Sequence, residues 1–293
     1  MSDPLALCLA GALSPEVALS RLVLEGLSLD QIAARVAALP DNGRAAKLRE
    51  LAARQDALGR VRTMLAASGL DHSALDAAPS DAVARIAGLF DRAVAHAPLA
   101  SVAAYSLDDP DILDVATLEL VAWLDAEGML GGDVLDLGCG IGRVAAAIAP
   151  HVRSVLATDA SPAMVAEARR RHAGLANVEF EHTAGLGLAV PPASLDLVLA
   201  VDSFPYLLQA GTGVADKHVA DAAVALRPGG CITLLNLSYR GDPAADAADV
   251  RRWTTRHGFI LDHAGTRPFT LWDGAAWVMR RGHPIYSPPS LAR

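Results

Sequence analysis

Residues 134–145 read VLDLGCGIGRVA. An apolar run carrying Asp136 stops at Gly138, glycines recur at 140 and 142, and helix-forming residues follow at once. Glycine permits turns in which φ is positive and lets another group approach the backbone where a Cβ would collide. The helix that follows presents unpaired N–H groups at its start. Moving outward, a second apolar run, SVLAT (154–158), ends in Asp159, 21 residues after Gly138. A carboxylate there can accept hydrogen bonds from both hydroxyls of a ribose, and open α/β sheets bind ligands at this carboxyl edge.

The same pattern continues on both sides. Short apolar runs at 133–137, 154–158, 177–182, 195–201, 230–237, 259–264 and 275–281 read as strands. Helical periodicity falls at about 142–149, 162–172, 214–226 and 246–257. Nearly continuous apolar strands alternating with amphipathic helices predict a doubly wound, mostly parallel seven-stranded α/β sheet covered on both faces. The last two strands are joined by 265–274 alone, too short for a parallel crossover, so the terminal strand is expected to be antiparallel. Asp109-Pro110 starts one more helix, which ends at Gly128.

Residues 1–104 read as helices only and form a separate unit, a cap or dimerisation region, ahead of a 105–293 domain. Ser14-Pro15-Glu16 is a helix start, and Ser28 with Gln31 is a capping-box pattern. A long helix is predicted from Arg44 to about Ala67, and another from a Ser80 cap to His96. LALCLAGALS (5–14) has no basic residue before it, and reads as a helix rather than a leader. The basic run of Arg44, Lys47, Arg49, Arg54, Arg60 and Arg62 raises nucleic acid as a partner. Residues 1–100 nevertheless hold 10 basic and 11 acidic side chains, and the whole chain is at −8, which argues against binding a phosphate backbone.

With 52% apolar and 20% charged residues the chain is globular rather than disordered. Cys8, Cys139 and Cys231 are scattered, without a C-x-x-C pair. That disfavours a disulfide scaffold or a cysteine metal site, and a reducing, cytoplasmic setting is expected. No membrane span is expected, because no run of 18 uncharged apolar residues occurs. No histidine or acid cluster has metal-ligand spacing, so no metal is expected.

A dinucleotide fingerprint, G-x-G-x-x-G, needs glycine at 143, where this chain has Arg143. That departure disfavours a nicotinamide-dependent reductase. The actual spacing, D-x-G-x-G-x-G, resembles motif I of the class I S-adenosylmethionine-dependent methyltransferases of small-molecule type. The resemblance covers about 105–281, through DASPAMVAEAR (159–169), SLDLVLAVDSFPYL (194–207), LRPGG (226–230) and the terminal antiparallel strand. It implies S-adenosylmethionine as cofactor and S-adenosylhomocysteine as product. By position, Gly138, Cys139, Gly140 and Gly142 would lie against its methionine and ribose parts. Asp136 would orient the loop and the amino-acid end, and Asp159 would hold the ribose. Ala160 and Met164 would flank the adenine, with Val201 at the fourth-strand end. The turn after the third strand carries Thr183 and Ala184 where the family has an acid for the adenine amino group. Tyr105, just before the helix leading to motif I, is placed to close over the cofactor.

The acceptor side is read from the next two strand exits. Asp202 is a candidate proton acceptor, Tyr206 stands beside it, and His218 is a candidate base on the following helix. Phe204, Tyr239 and Arg240 are candidate contacts for a small, partly apolar acceptor. Ser203-Phe204-Pro205-Tyr206 partly resembles the (N/D/S)-P-P-(Y/F) motif of amine-directed nucleic-acid methyltransferases, with Phe204 in place of a proline. The expected function is therefore in-line methyl transfer from S-adenosylmethionine to an oxygen or nitrogen of a small molecule. Its alternative is a non-catalytic module that binds the same cofactor or serves as a scaffold, with homodimerisation through the N-terminal helices as a further expectation.

Overall fold

The computed structural model describes residues 3–69 and 75–282, so the end of the 105–293 domain lies outside the described residues. The N-terminal third is helical: α1 (Pro4–Leu9), α2 (Pro15–Leu24), α3 (Leu29–Ala37), α4 (Gly43–Ala52), α5 (Gln55–Ser68), α6 (Pro79–His96) and α7 (Pro98–Val102). A 3-10 turn, Ala104–Ser106, leads to α8 (Pro110–Ala126). There follow β1 (Asp133–Leu137), α9 (Arg143–Ile148), β2 (Ser154–Asp159), α10 (Pro162–Arg171), β3 (Val178–His182) and β4 (Leu195–Val201). The chain continues through α11 (Phe204–Ala210), α12 (Thr212–Ala225), β5 (Leu226–Leu235), α13 (Pro243–His257), β6 (Phe259–Thr266) and β7 (Ala276–Arg281).

Several starts follow from local chemistry. Ser14 Oγ accepts from the Val17 N–H at 3.1 Å, and Ser28 and Gln31 form both halves of a capping box. Other expectations change. The single helix over 44–67 is two, because Arg54 leaves helical geometry at ψ 59° between α4 and α5. Ser80 is not a cap: α6 begins at Pro79, whose fixed φ suits the first helical position, and no side chain caps it. β5 starts four residues before the expected 230, pairing Leu226 with Leu195 across a register shift. It stops at Leu235 because Asn236 turns the chain at φ +67°.

The sheet runs β3-β2-β1-β4-β5-β7-β6. Neighbours from β3 to β5 are parallel, while β7 is antiparallel to both β5 and β6. The antiparallel strand is therefore internal, and the parallel-running β6 forms the edge. Burial follows position: β1 is buried at four of its five residues, whereas in β6 only Phe259 is buried and half-buried residues alternate with exposed ones.

One hydrophobic core joins Leu22, Leu48, Leu51 and Leu58 of the N-terminal helices to Leu113, Leu120 and Leu124 of α8 and Leu199 of β4. Another packs β4 and β5 against α12 and α13 through Val198, Ile232, Val219 and Trp253. Each wholly buried leucine contributes about 1.5–3 kcal/mol of transfer free energy. The N-terminal helices are thus held on the sheet by a shared interior, above the carboxyl ends of β1, β2, β4 and β5.

Candidate active site

Those strand ends open into a cavity of about 1200 Å³. A single small ligand usually occupies some 300–1,000 Å³, so this volume accommodates two reactants side by side.

One wall is the β1–α9 loop and the end of β2. Gly138, Gly140 and Gly142 all have positive φ. The Gly138 and Cys139 N–H groups both donate to the Thr158 carbonyl, at 2.8 and 3.0 Å. Asp159 then ties the loop down: Oδ2 accepts from Gly140 N–H and Oδ1 from Ser161 N–H, each at 2.8 Å. The backbone of Ala160 is a third donor to this carboxylate, which leaves about one of its four lone-pair sites for a ligand. Burial raises the Asp159 carboxyl pKa against the pull of these backbone donors. Asp136 is 1% exposed, and its Oδ2 has no hydrogen-bond partner. Burial pushes its carboxyl up to about 7, with Arg143 opposing the shift and Asp159 adding to it.

Of the positions expected on this side, Tyr105, Asp136, Gly138, Cys139, Gly140, Asp159, Ala160, Met164, Thr183 and Val201 line the cavity. Gly142 does not: a Cβ there would sit 2.6 Å from the Phe180 ring, so its glycine serves strand-helix packing. Ala184 is exposed outside the cavity, because Gly185 turns inward in its place. At Gly138 and Gly140 an added Cβ would meet Ser203 and, at 2.5 Å, Val102. The loop is therefore narrow because its own neighbours press on it. Burial drives the Cys139 thiol well above its ordinary pKa, which keeps it protonated.

The opposite wall is built at the ends of β4 and β5. Asp202 and Asn236 are both left-handed, at φ +57° and +67°. Asp202 Oδ1 accepts from Asn236 Nδ2 at 2.6 Å and from the Tyr239 hydroxyl at 2.7 Å. Tyr239 and Tyr206 are hydrogen-bonded in turn, their rings edge to face at 5.7 Å. Burial raises Asp202 to about 6 despite these donors and also raises both tyrosines.

Two acceptor-side expectations, Phe204 and Arg240, are corrected. Phe204 is 0% exposed and packs edge to face on Trp253 at 5.6 Å, inside the core. Arg240 is held by Asp246 and Asp249, at 2.5 and 2.8 Å, and is not among the lining residues. His218 lies outside the Asp202 network: its Nδ1 donates to the Val214 carbonyl at 2.8 Å, and burial lowers its pKa. Its ring reaches the cavity wall, but Nε2 is enclosed and has no partner.

The remaining walls come from far away in sequence. Val83, Ile86 and Phe90 of α6 face Ala160 and Met164, and Phe90 meets Tyr206 edge to face at 4.8 Å. Asp91 of α6 accepts from Ser161 Oγ at 2.6 Å and Ala163 N–H at 3.1 Å, fixing α6 to the start of α10. Tyr105 stacks on Trp272 of the β6–β7 loop at 6.3 Å. Reading the sequence alone missed Asn236, Phe90, Trp272 and the inward aim of Arg143. For Asn236 one signal existed, since Asn tolerates the left-handed turn a strand exit can require. The basic run of 44–62 is largely satisfied internally: Lys47 pairs with Glu50, Arg49 with Asp41, Arg54 with Asp109 and Arg60 with Asp108. That leaves little free cation for a phosphate backbone.

A model of the methyltransferase domain matches residues 134–230, from β1 into β5. This stretch, about a third of the chain, is thus similar to a methyltransferase domain. Methyltransferase cfoB of Aspergillus candidus is 34% identical over 99 residues, which make up 32% of this chain and 29% of that protein. The chain thus spans under a third of the length of that relative. Phosphoethanolamine N-methyltransferase 1 of Haemonchus contortus, solved with phosphoethanolamine and S-adenosylhomocysteine, has a TM-score of 0.50 at 17% identity, over 72% of this chain and 50% of its own. An S-adenosylmethionine-dependent methyltransferase of Leishmania major gives 0.50 at 18%, over 75% and 89%. The cyclase SpnF gives 0.50 at 19%, over 72% and 99%. The fold is that of the class I methyltransferases, and the cyclase illustrates that fold and reaction are separable. Among the described residues no helix of this methyltransferase fold is long and apolar enough to cross a membrane.

Proposed function

We propose that the cavity binds S-adenosylmethionine along the β1–β2 wall and a small-molecule acceptor along the β4–β5 wall, and that the protein transfers a methyl group between them. The observation that carries this reading is the placement, on one cavity, of Asp159 at the tip of β2 and Asp202 at the end of a hydrogen-bonded tyrosine pair. The residues present suit the cofactor: Asp159 for the ribose, the orphaned Asp136 Oδ2 for the amino-acid end, and Ala160, Met164 and α6 for the base. S-adenosylmethionine supplies an electrophilic methyl on a sulfonium centre.

What remains for the chain is positioning. Holding a nucleophile in line and near contact is worth an effective molarity of about 10⁵ M or more. Asp202 takes the proton of an oxygen or nitrogen acceptor, since a carboxyl near 6 is mostly ionised at neutral pH. Asn236 and Tyr239 hold that carboxylate, and Tyr206, bonded to Tyr239, faces the acceptor. Residues 1–104 act as a cap on the site, because α2, α5 and α6 turn buried faces to the shared core and cavity. Titration calorimetry with S-adenosylmethionine and S-adenosylhomocysteine tests the reading, and binding of neither ends it. Binding without transfer to any acceptor in a labelled-methyl metabolite panel would leave the non-catalytic module instead.

A further inference from the structure

Among the described residues, seven carboxylates but only three arginines and no lysine line the cavity. The arginines do not offer a cation to the acceptor wall. Arg21 is paired with Asp273, and Arg267 lies exposed. Arg143 stands at the start of α9, on the β1–β2 side, and donates from Nη1 to Thr117 Oγ1 at 2.8 Å. Asp202 has the opposite character. Both of its hydrogen bonds, from Asn236 and Tyr239, fall on Oδ1. Oδ2 takes none from the described residues and is not an enclosed atom, so it opens onto the cavity. Both donors are neutral, and among the described residues no arginine or lysine pairs with Asp202 within 4.0 Å. Its carboxylate therefore keeps an uncommitted oxygen and has no counter-ion. Aromatic rings surround it: Tyr206 and Tyr239 meet edge to face at 5.7 Å, and Phe90 abuts Tyr206 at 4.8 Å.

An uncompensated carboxylate among aromatic rings suits an organic ammonium, through a charge-assisted hydrogen bond and cation–π attraction. A carboxylate or phosphate acceptor would instead face like charge with no counter-ion on its wall. A hydroxyl acceptor would have to build negative charge on its oxygen beside Asp202, where no cation holds it. An ammonium loses a proton to become a neutral nucleophile, and the site gains no negative charge. We propose that the acceptor is a small organic amine, a primary or secondary ammonium on an apolar body, bound through N–H to Asp202 Oδ2 and flanked by Tyr206 and Tyr239. This rests on the proposed function and narrows its acceptor from oxygen or nitrogen to nitrogen. The N–H bond breaks before transfer. Its electron pair stays on nitrogen as the nucleophilic lone pair, and the proton goes to Asp202 Oδ2.

Calorimetry on the full chain saturated with S-adenosylhomocysteine decides the matter with three probes of similar shape: 2-phenylethylamine, 2-phenylethanol and phenylacetate. The amine should bind about tenfold or more tighter than the alcohol, in keeping with a charge-assisted hydrogen bond, and the carboxylate should bind weakest. In Asp202→Asn the ratio of amine to alcohol affinity should fall to within about threefold. Equal or tighter binding of the alcohol or the carboxylate by the unmodified protein overturns the proposal. So does an unchanged ratio in Asp202→Asn, or binding of none of the three probes at millimolar concentration. Each of these outcomes leaves the cofactor reading intact, because S-adenosylhomocysteine is already bound. Failure to bind S-adenosylhomocysteine refutes the proposed function itself, and this inference with it. Should Asp202→Asn not fold by circular dichroism, the order of the three probes on the unmodified protein still decides between an amine and the other two classes.

Discussion

At the ends of β1 and β2 the chain turns on glycines, Gly138 at φ +74° and Gly140 at +54°. At the ends of β4 and β5 it turns on Asp202 at +57° and Asn236 at +67°. The first wall is made of backbone, and one contiguous loop supplies most of it. The second is made of side chains, and its turns carry groups that a glycine would lack. A non-glycine residue in this region costs of order 1–2 kcal/mol, less for Asp and Asn. Here the Asn236–Asp202 hydrogen bond and the Tyr239 hydroxyl hold both turns in place. On the proposed function the contrast is a division of labour, the glycine wall holding the cofactor and the polar wall the acceptor.

The sharpest way to break that division is Asp159→Ala. It removes the anchor of Gly140 and a charge-assisted contact to a ribose, so affinity for S-adenosylhomocysteine should fall a few hundredfold by calorimetry. An unchanged value would remove the cofactor from the glycine wall. Next is Asp202→Asn, measured once an acceptor is known. For the native protein kcat/KM should rise as pH passes through about 6, where Asp202 ionises. The variant should lose about a hundredfold and show no such rise. Persistence of the acid limb in the variant would take the proton-accepting role away from Asp202.

A smaller effect separates function from stability on the glycine wall. Asp136 has its folded pKa raised from 3.8 to about 7. The folded state therefore holds more protons than the unfolded chain between those values, and native stability falls as pH rises from about 4 to about 7. Asp136→Asn escapes that loss, so its Tm should exceed the native one by several degrees at pH 8 and match it near pH 4. A lower Tm at pH 8 would mean that the buried carboxylate stabilises the fold. The smallest change belongs outside both walls. Arg240→Ala should leave kcat/KM within twofold and lower Tm by no more than about 3 °C, because the exposed arginine bridges Asp246, Asp249 and Ser238. A large loss of activity would return Arg240 to the acceptor wall.

Legibility in the sequence followed the same divide. The strands, Asp136 and Asp159 could be read because the strand, the turn and the helix lie within 26 residues, from Val134 to Asp159, and each demands its own residue pattern. Phe204 and Tyr206 looked alike as aromatic groups at one strand exit. Two positions apart on α11, they separate into a core anchor on Trp253 and a cavity residue against Phe90. Arg240 read as an acceptor contact, and Arg143 only as a departure from the dinucleotide fingerprint. Only the placement of α13, with Asp246 and Asp249, engages the first, and only Thr117 on α8 aims the second.

Local chemistry in the chain was enough to specify a mostly parallel sheet, its glycine turn and the acid at the tip of the second strand, because period, turn geometry and capping act over a few residues. Which glycines line the cavity, where the antiparallel strand inserts, and how the charged side chains near it are paired were settled by packing. Those outcomes depend on contacts such as Gly142 with Phe180, β7 with β5, and Tyr105 with Trp272. The partners in each lie tens to more than a hundred residues apart, and no local pattern encodes who will stand opposite whom.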